Sequence, residues 1–244
     1  TVASEDKVIN IGSLTALDVR KINFNINVND AEITVKHSSG IKIIPENGVY
    51  LLPEGEYSYS VIKEGYITVT GSFTASEDKT IDINLVSAGE AWDGTSKNEP
   101  AQQNGVYQIS NAAEFAWFAD NVNDGNEDIS AILTANINLN GKTWKGFGTY
   151  DYSDETKGFS GTLDGNWKTI SGLKGKNGIV DCLSVNGIIK NLYVDGNVSG
   201  TANVGGIANT SRGTIENCVF SGSVSNSSNS GSTAGIAGRA LAGN

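Results

Sequence analysis

Gly187-Ile188-Ile189-Lys190-Asn191-Leu192-Tyr193-Val194-Asp195-Gly196-Asn197-Val198 returns 26 residues later (213 − 187) as Gly213-Thr214-Ile215-Glu216-Asn217-Cys218-Val219-Phe220-Ser221-Gly222-Ser223-Val224. A second phrase, Gly178-Ile179-Val180, recurs as Gly206-Ile207-Ala208 and Gly235-Ile236-Ala237, at offsets of 28 and 29. Self-similarity at roughly 20–30 residues marks a solenoid, whose units bury an apolar face only by stacking. Inside each unit apolar and polar residues alternate in short runs bounded by Gly, Asn or Ser, which is a strand period. The regular Leu ladder of a leucine-rich repeat is missing. Short strands joined by tight turns, one coil per repeat, predict a parallel β-helix. Asn191 and Asn217 hold the same place in successive coils, where Asn can adopt the left-handed conformation and bond along the stack.

Working outward, Ser110 to Asn123 predicts a helix. Asn111 can cap it, with Glu114 three residues on. Phe115, Phe118 and Val122 form its apolar stripe, widened by Ala112, Ala116 and Ala119. Such a helix can cover the open end of a β-helix, with Trp92 and Trp117 in the same plug. Ala131 to Trp144 supplies the first coil, and the polar, aromatic run from Tyr150 to Lys157 reads as a projecting loop. Farther back, Ile22, Phe24, Ile26 and Val28 alternate strictly. They head a series of short strands with turns such as Pro53-Glu54-Gly55 and Glu64-Gly65, the pattern of a small antiparallel β-sandwich. Ala75 to Ile83 echoes Ala3 to Ile11 at an offset of 72 (75 − 3), so residues 1–11 read as the last strand of a preceding module. The expected organisation is a leftover strand and connector over 1–19, a sandwich over 20–86, a linker over 87–110 and a capped β-helix over 111–244, truncated at its C-terminus.

The chain of 244 residues carries a net charge of −10, unevenly spread. Residues 1–90 hold 13 acids and 7 bases (−6), 91–160 hold 10 and 4 (−6), and 161–244 hold 4 and 6 (+2). Without a basic face, nucleic acid and anionic lipid are poor partners. No apolar run is long enough to cross a membrane. The cysteines, Cys182 and Cys218, read as core fillers, with a disulfide as the other reading.

The run Val204 to Cys218 resembles the GLUG repeat of bacterial surface proteins. Phe159 to Leu173 resembles the coil that precedes such repeats. Leu52 to Tyr66 resembles the PEGA-like and carboxypeptidase-regulatory-like modules of extracellular proteins. These resemblances imply a right-handed parallel β-helix on a secreted or wall-attached bacterial protein, behind a spacer module. They carry no activity with them.

Catalytic and metal chemistry find little support. The solenoid acids Asp164, Asp181, Asp195 and Glu216 are scattered, and Asp195 faces Ser221 one coil on, so no carboxylate pair stacks. Arg212 and Arg239 read as single turn arginines. His37 reads as a solvated turn residue. Asp124-Gly125-Asn126-Glu127-Asp128 spaces oxygens like a calcium loop but lacks its later Gly and Glu, and it falls where a helix must stop. No catalytic residue, metal or cofactor is expected. Sugar binding needs exposed aromatics, and Trp167, beside a turn where a small residue would serve, is the candidate, with Tyr150 and Tyr152. The expected protein is a monomeric, non-catalytic adhesive module, extracellular or on the cell wall, binding host or cell-wall glycans or a host surface protein. The alternative is the N-terminal part of a β-helical glycoside hydrolase or polysaccharide lyase, or an accessory region of a secreted peptidase, with its active site outside residues 1–244.

Overall fold

A computed structural model describes residues 18–149, 151, 157–228 and 230–241. The echo segment 1–11 lies outside them. The chain divides into two compact units, 18–64 with 68–85, and 65–67 with 86–241.

The first unit holds β1 (Val19–Ile26), β2 (Glu32–His37), β3 (Lys42–Ile43), β4 (Tyr50–Pro53), β5 (Glu56–Ile62), β6 (Val69–Thr74) and β7 (Lys79–Ile83). They form two sheets, in the orders β4-β1-β7 and β3-β2-β5-β6. Alternation gives each strand one apolar face, and these faces meet in one cluster built on Ile22, Val35, Leu52, Tyr57 and Phe73. Phe24 sits edge-on to Tyr50 of its own sheet and to Tyr59 and Phe73 of the other. The expectation of purely antiparallel pairing fails at one place, because β1 and β7 run parallel. Side chains bind this pair together: Asn25 donates to Asp82 at 2.8 Å and Asn27 to Asn84 at 2.7 Å. His37 lies at a turn, its Nδ1 2.8 Å from the Ser39 hydroxyl.

The second unit is a parallel β-solenoid of about five turns. It runs through β8 (Gln102–Gln103), β9 (Val106–Ile109), α1 (Ala112–Asn123), β10 (Ser130–Leu133), β11 (Ile137–Asn138), β12 (Thr143–Trp144) and β13 (Thr162–Gly175). Then follow β14 (Val180–Leu183), β15 (Ile188–Gly200), β16 (Val204–Gly205), β17 (Ala208–Ser211), β18 (Thr214–Glu216), β19 (Val219–Asn226), β20 (Thr233–Ala234) and β21 (Ala237–Ala240). One long sheet stacks β9, β10, β13, β15 and β18 in parallel, and Tyr107, Ala131, Leu163, Ile189 and Ile215 form a column through it. A second face stacks β14, β17 and β21. Successive coils pair 26 residues apart from Ile189 to Ile215 and 28 apart from Val180 to Ala208, which are the offsets of the sequence repeats.

Gly161, Gly187 and Gly213 explain the glycine that opens each repeat. A Cβ at any of them would run into a backbone carbonyl: that of Ile129, Phe159 or Gly187 respectively. Only glycine lets the coils approach this closely. The asparagine stack is also present. Asn217 donates to Asn191 Oδ1 at 3.1 Å and Asn191 to Asp164 Oδ1 at 3.1 Å, with Asn191 and Asn217 both at φ 52°.

The solenoid begins earlier than Ala131. Residues 87–110, expected as a linker, contain β8 and β9, and β9 pairs in parallel with β10. The alternation Val106-Tyr107-Gln108-Ile109 is too short to stand out next to the Asn104-Gly105 turn. Helix α1 therefore connects two strands of the stack and does not precede the first coil. It holds the chain position that β14 and β17 hold in later coils. Asn111 caps it, its Oδ1 accepting from Glu114 N–H at 3.0 Å, while Glu114 accepts from Ser110 N–H at 2.6 Å. Its stop lies at Asp124, followed by Gly125 at φ 107°. The buried face packs ring on ring. Phe115 stacks on Trp144 with centroids 4.9 Å apart, and Phe118 meets Phe147 and Phe159 edge-on at 5.8 and 6.0 Å.

Candidate functional site

The outward face of the long sheet carries the aromatic that the sequence singles out. Between Asp164 and Lys168, β13 has three residues, while between the paired Lys190 and Leu192, β15 has only Asn191. The excess of two residues loops out as Gly165-Asn166-Trp167. Asn166 and Trp167 both take positive φ, 46° and 60°. Asn suits this region, but a bulky residue there is an outlier that the surroundings must enforce. The enforcement is visible: Asn166 N–H donates to Asp164 Oδ1 at 2.9 Å, and its amide donates to the Leu133 carbonyl at 3.2 Å.

Trp167 is held outward, 57% exposed. Its ring leans on Tyr193 of the next coil, with centroids 6.2 Å apart and planes at 46°. Tyr193 is 39% exposed and pairs in register with Val219 of the following coil, which is 49% exposed. Three coils thus contribute to one continuous apolar stripe. Lys190 and Asp164 lie beneath it, 3.5 Å apart.

Tyr150 and Tyr152 lie outside the described residues. The sequence reading missed Tyr193. The signal was present: Leu192 and Val194 flank Tyr193 as the apolar members of an alternating run, and both are buried, which turns Tyr193 outward opposite Thr169, two residues past Trp167. The repeat offset carried the same signal, since Trp167, Tyr193 and Val219 stand 26 residues apart (193 − 167 and 219 − 193).

The stripe offers contact and no acid–base chemistry. Asp164 is occupied by Asn166, Asn191 and Lys190. Elsewhere, Asp181 is half-buried and its pKa is raised by burial, opposed by the hydrogen bond from Asn209. Asn209 is a hub: it accepts from Gly178 and Gly205 N–H and donates to Asn177 and Asp181, each donation at 2.9 Å. Arg212, read from sequence as a turn residue, is buried, with Nη1 3.7 Å from Cys182 Sγ. Burial pushes the Cys182 thiol up to about 11, so it is a poor nucleophile at neutral pH. Both cysteines are free. Among the described residues no cluster of three His, Cys, Asp or Glu side chains could hold a metal ion, and no helix is long and apolar enough to cross a membrane.

No family model matches the chain, and no solved structure matches it. The chain is similar to halomucin of Haloquadratum walsbyi, with 28% identity over 229 residues that cover 86% of this chain. It spans about 2% of the length of that relative.

Proposed function

We propose that the chain is a non-catalytic adhesive module of an extracellular protein. In this reading the solenoid is a right-handed β-helix, as the general rule for parallel crossovers favours. Helix α1 fills part of the wall of its first coil, and the first unit is a two-sheet spacer of the PEGA-like kind. The likeness to GLUG repeats rests on the motif residues quoted above. The similarity to a short part of halomucin supports an extracellular setting for a module of this type.

The stripe of Trp167, Tyr193 and Val219 is the contact surface, and its ligand is a glycan. The observation that carries this is Trp167 itself: a large ring, mostly exposed, held in a backbone conformation unfavourable for it. Sugar rings present C–H faces that stack on such rings, with hydroxyls left for nearby polar groups. A multivalent display of the 244-residue chain on a glycan array tests the reading. The expected result is a hit that Trp167→Ala abolishes, that Tyr193→Ala weakens and that salt barely changes. A hit of equal strength with Trp167→Ala excludes the stripe, and capture of host protein with no glycan hit excludes the ligand class.

A further inference from the structure

A second site shares no residue with the stripe, since nothing that lines it belongs to β13, β15 or β19. A cleft of about 260 Å³ opens between residues 92–97, helix α1 and β12. Small-ligand sites usually start at roughly 300 Å³, so the space suits one ring-sized molecule. Its walls are apolar: Trp92, Trp144, Ala116 and Ala119. Both indole N–H groups are already used, Trp92 donating to the Ser96 carbonyl at 3.0 Å and Trp144 to the Ile179 carbonyl at 3.1 Å. The indoles therefore offer only carbon to the cleft.

The rim is polar and cationic. Thr143 presents a hydroxyl, the Thr95 hydroxyl donates to Asp93 at 3.2 Å and keeps only its acceptor side, and Lys97 and Lys145 line the opening. Lys142 lies alongside Gly94, another lining residue. Residues 91–160 contain 4 bases against 10 acids, and two of those bases line this one cleft while the stem of a third, Lys142, lies at its Gly94 edge. Lys97 is paired with Asp120 of α1. Among the described residues, neither Lys142 nor Lys145 makes an ion pair.

The cleft is also preorganised. The Asp93 carboxylate accepts from Thr95 N–H at 2.6 Å, from Ser96 N–H at 2.7 Å and from the Ser96 hydroxyl, which holds its pKa well below the usual carboxylate range. That turn fixes one wall, and the Lys97–Asp120 pair ties it to α1. A site that is already rigid loses less entropy when it binds.

We propose that this cleft binds a single carboxylate-bearing sugar ring, a hexuronic acid, free or at the end of a chain. The ring lies against the indole wall, the carboxylate faces Lys145 with Lys142 at the edge beyond Gly94, the Thr143 hydroxyl exchanges hydrogen bonds with the sugar and the Thr95 hydroxyl accepts one. The site is independent of the Trp167 stripe and goes beyond the adhesive reading.

The test is a titration of the isotope-labelled full chain followed by NMR, because its four tryptophans give separate indole N–H signals. Glucuronate should shift the Trp92 and Trp144 signals and leave Trp167 unmoved. Glucose should bind about tenfold more weakly, the size of one charge-assisted contact. The double variant Lys142→Gln/Lys145→Gln changes exposed side chains, so it should fold normally and lose about tenfold in glucuronate affinity. The proposal is overturned if glucuronate shifts neither buried indole, or if glucose matches it. It is also overturned if benzoate, an apolar carboxylate without hydroxyls, binds better than glucuronate. Loss of array binding in Trp167→Ala with the indole shifts intact would separate the two sites.

Discussion

At the scale of single residues, Trp167 sets stability against binding. A left-handed backbone costs an ordinary L-residue about 1–2 kcal/mol, and Asn less. Trp167→Asn should therefore stabilise the protein by about 0.5–1 kcal/mol, a rise of about 1–4 °C in Tm at this size, while glycan binding is lost. A fall in Tm would mean that the ring packs structurally. Asp181 gives a pH-dependent counterpart. Its pKa in the folded protein is raised by burial, so its stabilising contribution is full below the unfolded value of about 4 and is lost as pH rises through the folded one. Asp181→Asn keeps an oxygen to accept from Asn209. The variant should be more stable than the parent at pH 7, with the gap closing near pH 3 in denaturant melts. A constant gap across that range would remove burial as the cause. The asparagine ladder was legible from sequence because Asn191 and Asn217 share a repeat position. The buried state of Arg212 was not, because no local pattern distinguishes an arginine folded inward from one in water.

At the scale of elements, α1 shows where periodicity informs and where it stops. The stripe of Phe115, Phe118 and Val122 and the Asn111 cap were readable because a helix writes its core face into its own sequence. Its place between β9 and β10 was not, since a two-coil pairing depends on partners far apart in the chain. Phe118 packs on Tyr107 of its own coil and on Phe147 and Phe159 of the next, so it ties two coils together. Phe118→Ala should cost about 3–5 kcal/mol in the unfolding of the solenoid. The first unit has its own core, so its unfolding should not change. Calorimetry that showed both transitions shifting together, or neither, would refute the assignment of Phe118 to the solenoid core alone.

At the scale of the whole molecule, the stripe is small and its neighbourhood is nearly uncharged, since residues 161–244 sum to +2. One stripe of three residues gives weak binding, with little electrostatic steering. The chain matches about 2% of a far longer protein. The consequence can be measured by fusing two copies of the chain through a flexible linker and comparing them with one copy on a surface bearing the array's glycan. If the stripes engage together, the second contact becomes intramolecular and apparent affinity should rise by about 10²–10⁴. The same gain should vanish when one copy carries Trp167→Ala, which leaves the linker and the bulk of the protein unchanged. Raising salt shortens the Debye length from about 10 Å at 0.1 M to about 3 Å at 1 M, which would weaken a charge-driven contact and spare a stacked one. An avidity gain that disappears in high salt would mean that the −10 chain is held by its charges and that the stripe is not the contact.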